Sequence, residues 1–249
     1  MRAIGVIPAR WGATRFEGKV LADLLGKPVI QHVWENAKRA RTLDDLVVAC
    51  DDERIMKVVL GFGGKAVYTS VDQPSGTDRL AEVVNPLDVD IAVNIQGDEP
   101  LMKSIMIDNL VLALEEDRLV QMATMMKKID DDSELTNSNV VKVVTDKNGY
   151  AIYFSRYAIP YNRTGEADEK KKPAYYKHIG IYAFTKDFLF TFRNLPHSAL
   201  ENAEKLEQLR ALENGYRIKV VETKFDTIGI DRPDDLKRAE DALLREREK

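Results

Sequence analysis

The sequence predicts an α/β protein: a mostly parallel sheet covered by helices, with an antiparallel α+β insertion. Three observations predict it. Short apolar runs alternate with stretches of helical spacing over the first half of the chain, the pattern of strand–helix–strand units. Runs such as Ala3-Ile4-Gly5-Val6-Ile7 and Leu46-Val47-Val48-Ala49-Cys50 are apolar at successive positions, as strands covered on both faces are. Between about residues 135 and 190 the pattern changes to apolar runs joined across a glycine turn, which reads as a hairpin.

The elements follow in order. The first strand, over 3–7, opens into a loop at Pro8. Val29, Ile30, Val33, Trp34 and Ala37 form one stripe of a helix over 29–40. A strand over 45–50, a helix over 52–60 and a strand over 65–69 come next. Gly61-Phe62-Gly63-Gly64 superficially suggests a dinucleotide fingerprint, but these glycines follow a helix and precede a strand, the opposite polarity. Helix termination accounts for them. A strand over 91–95, a helix over 105–116 and a strand over 120–126 complete the first part. In the insertion, strands over 139–145 and 150–154 flank a 146–149 turn. The charged stretch 166–172 reads as an exposed loop, and 178–184 is again a strand. Leu200, Ala203, Leu206, Leu209 and Leu212 make one helical stripe stopped by Asn214-Gly215. A strand over 217–223 and a C-terminal helix from Pro233 end the chain, with 245–249 frayed. There is no internal repeat and no low-complexity segment.

The totals narrow the function. The 249 residues fit one α/β domain over 1–249, with the insertion as a subdomain, and 44% apolar content supplies a sizeable core. A net charge of −4 argues against a nucleic-acid partner. The single cysteine, Cys50, ends a strand and excludes an internal disulfide or a cysteine metal site. No apolar run approaches the ~20 residues of a membrane span. The expectation is a soluble cytoplasmic protein without membrane insertion.

Several residues could carry chemistry. Arg10, Arg15 and Lys19, interleaved with Gly12, Thr14 and Gly18, suit a polyphosphate, though a solvated basic turn has the same composition. Asp98, in Gln96-Gly97-Asp98-Glu99-Pro100, follows a strand where open α/β sheets bind ligands. It can hold a hard cation such as Mg²⁺ or simply bond within a polar turn. Asp231, before Pro233, reads first as a helix N-cap, a role that leaves an oxygen for a metal. Ser75-Gly76-Thr77-Asp78-Arg79 opens a helix and is either an anion or base-edge site or a plain cap. Arg156 could clamp a carboxylate through two parallel hydrogen bonds. Of three histidines, His178 opens an apolar strand, while His32 and His197 read as structural or solvated. No nucleophile–base set has defensible spacing.

These segments together resemble one family. Pro8-Ala9-Arg10, Thr14-Arg15, Gly18-Lys19, Ser75 to Arg79, Asn94 to Pro100, Tyr153-Phe154-Ser155-Arg156 with Ile159-Pro160, His178-Ile179-Gly180-Ile181-Tyr182, Leu206-Glu207-Gln208-Leu209-Arg210 and Gly229-Ile230-Asp231 occur in the order of the 3-deoxy-manno-octulosonate (Kdo) cytidylyltransferases. The resemblance implies a glycosyltransferase-A-like nucleotidyltransferase fold and a homodimer, with the insertion near the interface. It implies the reaction of CTP with Kdo to CMP-Kdo and pyrophosphate, for lipopolysaccharide synthesis. Lys19, Asp98 and Asp231 would be catalytic, with Asp98 and Asp231 holding Mg²⁺. Ala9, Arg10, Thr14, Arg15, Lys19, Ser75, Gly76, Arg79, Gln96 and Gly97 would bind the nucleotide, and Arg156, His178, Tyr182, Glu207 and Gln208 the sugar. The chain departs from the family's Leu-Pro-Gly-Lys-Pro at Phe16-Glu17-Gly18-Lys19-Val20, and it has Asn202 where His or Gln is common. Asp78, Glu201, Glu204 and Lys205 are closer to a branch that activates the 8-amino sugar, where an acidic partner could meet an ammonium. Another sugar nucleotidyltransferase, using UTP or making CMP-sialic acid, and a non-enzymatic nucleotide-binding module are the competing readings.

Overall fold

A computed structural model of the chain describes residues 1–12, 15–163 and 173–247. The loop expected over 166–172 lies outside them. The chain opens with β1 (Ala3–Ala9), a 3₁₀ turn (Lys19–Leu21) and the short pair β2 (Asp23–Leu24) and β3 (Lys27–Pro28). Then come α1 (Val29–Ala37), β4 (Asp45–Cys50), α2 (Glu53–Gly61), β5 (Ala66–Tyr68), α3 (Gly76–Val84) and β6 (Ile91–Asn94). The middle holds α4 (Ser104–Glu116), β7 (Met122–Lys128), α5 (Ser133–Thr136), β8 (Lys142–Thr145), β9 (Ala151–Ser155) and β10 (Tyr176–Thr185). The chain ends with α6 (Lys186–Asn194), α7 (Ala199–Glu204), α8 (Leu209–Glu213), β11 (Lys219–Glu222) and α9 (Pro233–Arg247).

The main sheet runs in the order β11-β7-β10-β6-β1-β4-β5. β1 lies parallel to both β4 and β6, with Val6 beside Val47 and Asn94. β10 is antiparallel to β6 and to β7, so it alone on this path opposes six strands that point one way. β8 and β9 pair antiparallel, and β8 joins the start of β10 at Lys142 and Lys177.

Helices cover both faces, and the core divides accordingly. Ile91, Val93 and Ile95 pack with α1, α2 and α4, while Ala92 faces α3 and α6. This two-sided burial is why the strands lack alternation. The parallel strands β1, β4 and β6 all end on one edge, and the loops there carry the chemistry-bearing residues.

The helix expected over 200–212 is two helices. Ser198 and Glu201 form a capping box that starts α7, and Lys205 turns left-handed with φ 54°. The chain restarts as α8, so Glu207 and Gln208 lie on the connecting turn. Helical spacing on both sides of one left-handed residue is indistinguishable from a single stripe.

Candidate active site

A cleft of about 380 Å³ opens at the ends of β1 and β6. Ala9, Arg10, Arg15, Lys19, Ser75, Gly76, Arg79, Gln96 and Gly97 all line it, together with Asp98 and Asp231. Thr14 lies outside the described residues. Gly97 is needed by packing alone: a Cβ there would stand 2.7 Å from the carbonyl oxygen of Pro8. Ser75 caps α3, its Oγ accepting from the backbone of Asp78 at 3.1 Å. Arg79 is 3% exposed and pairs with Asp51 at 2.9 Å, while Asp51 also accepts the backbone N–H of Trp11 at 3.0 Å. The loop after β1 is thus tied to α3 through Asp51, a residue that sequence reasoning passed over.

Lys19 stands between two carboxylates. Its ammonium donates to Asp98 and, at 2.9 Å, to Asp231. Arg15 reaches the other oxygen of Asp231 at 3.1 Å. Burial works against the Lys19 charge, but Asp98 and Asp231 outweigh it and raise its pKa above the ordinary lysine value. Burial likewise opposes the Asp231 charge, and Lys19 with Arg15 overcomes it, lowering that carboxyl's pKa. Asp231 does not take the expected N-cap role; Asp235, inside the first turn of α9, accepts through Oδ2 from the backbone of Asp231 at 3.1 Å and Arg232 at 2.9 Å. Asp231 is left with both oxygens turned to cations.

The donor set fits a hard divalent cation. Two carboxylates from distant loops converge on one ammonium, hard oxygen donors close enough to share a single cation. Among the described residues no cluster of three or more His, Cys, Asp or Glu forms a closed cage. A two-carboxylate site completed by phosphate oxygens and water is the usual habit of Mg²⁺.

The residues expected to face the sugar form a neighbouring group, joined to the cleft by α3. Glu207 accepts from Thr77 Oγ1 at 2.9 Å and Ser75 Oγ at 3.5 Å. Burial raises its carboxyl pKa, and burial with the nearby Glu207 charge raises the Tyr182 phenol. His178 packs 5.4 Å from Tyr182 and edge-on to Phe154, and burial lowers its pKa to about 3. Thr124 Oγ1 lies 2.8 Å from the Ile181 carbonyl and 2.9 Å from His178 Nε2. With the hydroxyl donating to that carbonyl, this network assigns the proton to Nε2 and leaves Nδ1 as an acceptor. Gln208 is 4% exposed with Nε2 unpartnered by protein. Arg156 is not a free clamp: its donors bond the carbonyls of Glu204 at 2.6 Å, Ser138 at 2.9 Å and Lys205 at 3.4 Å.

The carboxylates proposed to meet an 8-amino group are committed elsewhere. Glu201 forms a two-pronged pair with Arg210 at 2.9 and 2.7 Å, and Glu204 accepts from Ser155 Oγ at 3.0 Å and the Arg156 backbone at 2.9 Å. Sequence reasoning also missed Glu99, whose Oε2 is buried without a protein partner. Burial beside the Asp98 charge raises its pKa to about 8. Nothing local in Asp98-Glu99-Pro100 distinguishes it, because its burial comes from other segments.

A basic loop facing two carboxylates beside the strand ends of a mostly parallel sheet suits nucleotidyl transfer, the chemistry of the nucleotidyltransferases. A family model described as Cytidylyltransferase matches residues 4–220, and the chain belongs to that family. It is 50% identical over 249 residues to the 3-deoxy-manno-octulosonate cytidylyltransferase of Geotalea uraniireducens, covering 98% of this chain and 99% of that protein. It is 53% identical over 239 residues to the protein of the same name from Syntrophobacter fumaroxidans, with 95% and 94% covered. A solved structure of CMP:2-keto-3-deoxy-manno-octonic acid synthetase complexed with CTP superposes with TM-score 0.92 at 40% identity, over 99% of this chain and 100% of that one.

Proposed function

We propose that the protein joins CTP and Kdo to give CMP-Kdo and pyrophosphate, with Mg²⁺ held by Asp98 and Asp231. The observation that carries this reading is the convergence of Lys19, Arg15, Asp98 and Asp231 in one cleft. In the reaction the anomeric hydroxyl of the sugar attacks the α-phosphorus while pyrophosphate departs in line. Such a transfer needs positioning and charge neutralisation rather than a covalent intermediate. Arg10, Arg15 and Lys19 hold the triphosphate and stabilise the leaving group. Gly76 and Gly97 let the nucleotide approach the backbone, and Ser75, Arg79 and Gln96 border the base. When bound, Mg²⁺ would neutralise phosphate charge and lower the pKa of the attacking hydroxyl. Tyr182, Glu207, Gln208 and the Nδ1 of neutral His178 supply hydrogen-bonding groups for sugar hydroxyls, with Arg156 bracing the turn that carries Glu207 and Gln208.

The same reading takes the chain as one domain acting in the cytoplasm as a homodimer, with the 135–190 insertion at the interface. Among the described residues no helix is long and apolar enough to cross a membrane. Support for the interface comes from Ile152, Tyr157 and Tyr161, which are 61%, 82% and 87% exposed on the insertion. The test is pyrophosphate release with CTP and Mg²⁺, comparing Kdo with its 8-amino analogue, with other nucleotides and EDTA as controls. Release with CTP and Kdo, abolished by EDTA, is expected. Preference for the amine, for UTP, or insensitivity to EDTA would overturn the corresponding assignment.

A further inference from the structure

The phosphate-side loop lacks the two prolines of the family pattern and carries Glu17 in place of the first. A carboxylate in a loop meant for a triphosphate should repel its ligand. The structure turns this side chain away: Glu17 does not line the cleft, although Arg15 and Lys19 on either side of it do.

Its partner is Trp11. The indole Nε1 donates to Glu17 Oε1 at 2.5 Å, joining the start of the loop to its end. Trp11 is held from other directions as well. The Arg54 guanidinium lies 3.5 Å from the centre of its ring. Arg54 is fixed in turn by Asp52, the N-cap of α2, through bonds of 2.8 and 2.7 Å. The Trp11 carbonyl accepts from Gly18 at 3.0 Å, and its N–H donates to Asp51, the partner of Arg79. Gly18 has φ 68°, and a Cβ there would stand 2.8 Å from the indole. The Glu17 charge also lies close enough to favour the charged form of Arg54, so it is offset on the side away from the cleft.

We infer that Glu17 is a positioning residue: with Trp11 it forms a side-chain clasp that holds Arg10, Arg15 and Lys19 in their triphosphate-binding arrangement, replacing the stiffness of the missing prolines. The inference rests on the nucleotide role proposed above for this loop. A proline stiffens a loop by restricting the free chain; a hydrogen bond between the loop's two ends restricts it by a contact instead.

The experiment is a double-mutant cycle on the full-length protein with Glu17→Ala, Trp11→Phe and the pair, beside Glu17→Gln. Glu17→Ala is expected to raise KM for CTP about five- to tenfold, the worth of one hydrogen bond whose charge is screened at an accessible site. kcat and KM for the sugar should stay within about twofold. Glu17→Gln, which keeps an acceptor but not the charge, should fall between wild type and Glu17→Ala, and Glu17→Ala should add nothing once Trp11 is Phe. An unchanged KM for CTP, an equal rise for both substrates, or the same effect of Glu17→Ala with Trp11 replaced would overturn the clasp. A second readout needs no substrate. In a Trp34→Phe background Trp11 is the only indole of the chain's two. Glu17→Ala should then increase its quenching by acrylamide, and unchanged quenching would also overturn the clasp. Increased quenching in a protein that does not turn over CTP would fault the proposed reaction and leave the clasp standing.

Discussion

Asp231→Asn separates catalysis from stability at one site. The substitution keeps the side chain's shape and removes its charge, so Lys19 at 2.9 Å and Arg15 at 3.1 Å each lose an anionic partner. The Asp231 side chain is 48% exposed, so solvent screens both pairs, and together they contribute up to about 1 kcal/mol to stability. For a chain of this length that shifts the melting temperature by roughly 2–4 °C. The catalytic loss should be larger by orders of magnitude. Half of the protein charge assigned to Mg²⁺ disappears, and Lys19 is left bound to Asp98 alone. Loss of one preorganised charge-stabilising group at a reacting centre costs about 10²–10³ in kcat, or roughly 3–4 kcal/mol. The assay is pyrophosphate release at saturating CTP and Kdo over a range of Mg²⁺ concentrations, paired with a thermal melt. The sign with pH also follows. Because the Asp231 pKa is lowered in the fold, its contribution is present above the ordinary carboxylate range and lost as pH falls through the folded value. The melting difference between wild type and variant should therefore close in acid. A kcat within threefold of wild type would refute the metal assignment, and a large melting loss with little catalytic loss would make Asp231 a structural residue.

Three further outcomes are expected. His178 is held neutral with a pKa near 3, so the unfolded chain binds a proton below its ordinary pKa and the native state does not; stability should fall as pH drops from about 6.5 toward 3, and His178→Asn should flatten that slope in urea melts at several pH values. Gly97→Ala places a Cβ 2.7 Å from a backbone oxygen, which cannot swing away, and should cost about 1–3 kcal/mol in urea denaturation while weakening CTP binding. Tyr157→Asp, at a position 82% exposed, should convert a dimer to a monomer in sedimentation and lower the melting temperature only by the stabilisation that association contributes; a monomeric wild type would remove the proposed interface.

Local chemistry made much of this protein legible in its residues alone. Strand and helix order follows from apolar spacing over a few neighbours, which is why β1, β4, β6 and α4 fall close to where the runs place them. The basic loop and Asp98 could be singled out because strand ends in parallel sheets gather ligand-binding loops, whereas Asp231 reads locally as a helix cap and takes a metal role only from the family resemblance. The tertiary fold decided the rest, since it depends on contacts between segments far apart in the chain. The insertion of β10 against the direction of its neighbours, the left-handed break at Lys205 and the pairing of Asp231 with Lys19 and Arg15 leave no pattern in a short window. Protonation is the sharpest case. His178 is neutral and Glu99 is driven toward its acid form because distant strands and loops remove them from water, and no spacing of residues encodes that desolvation.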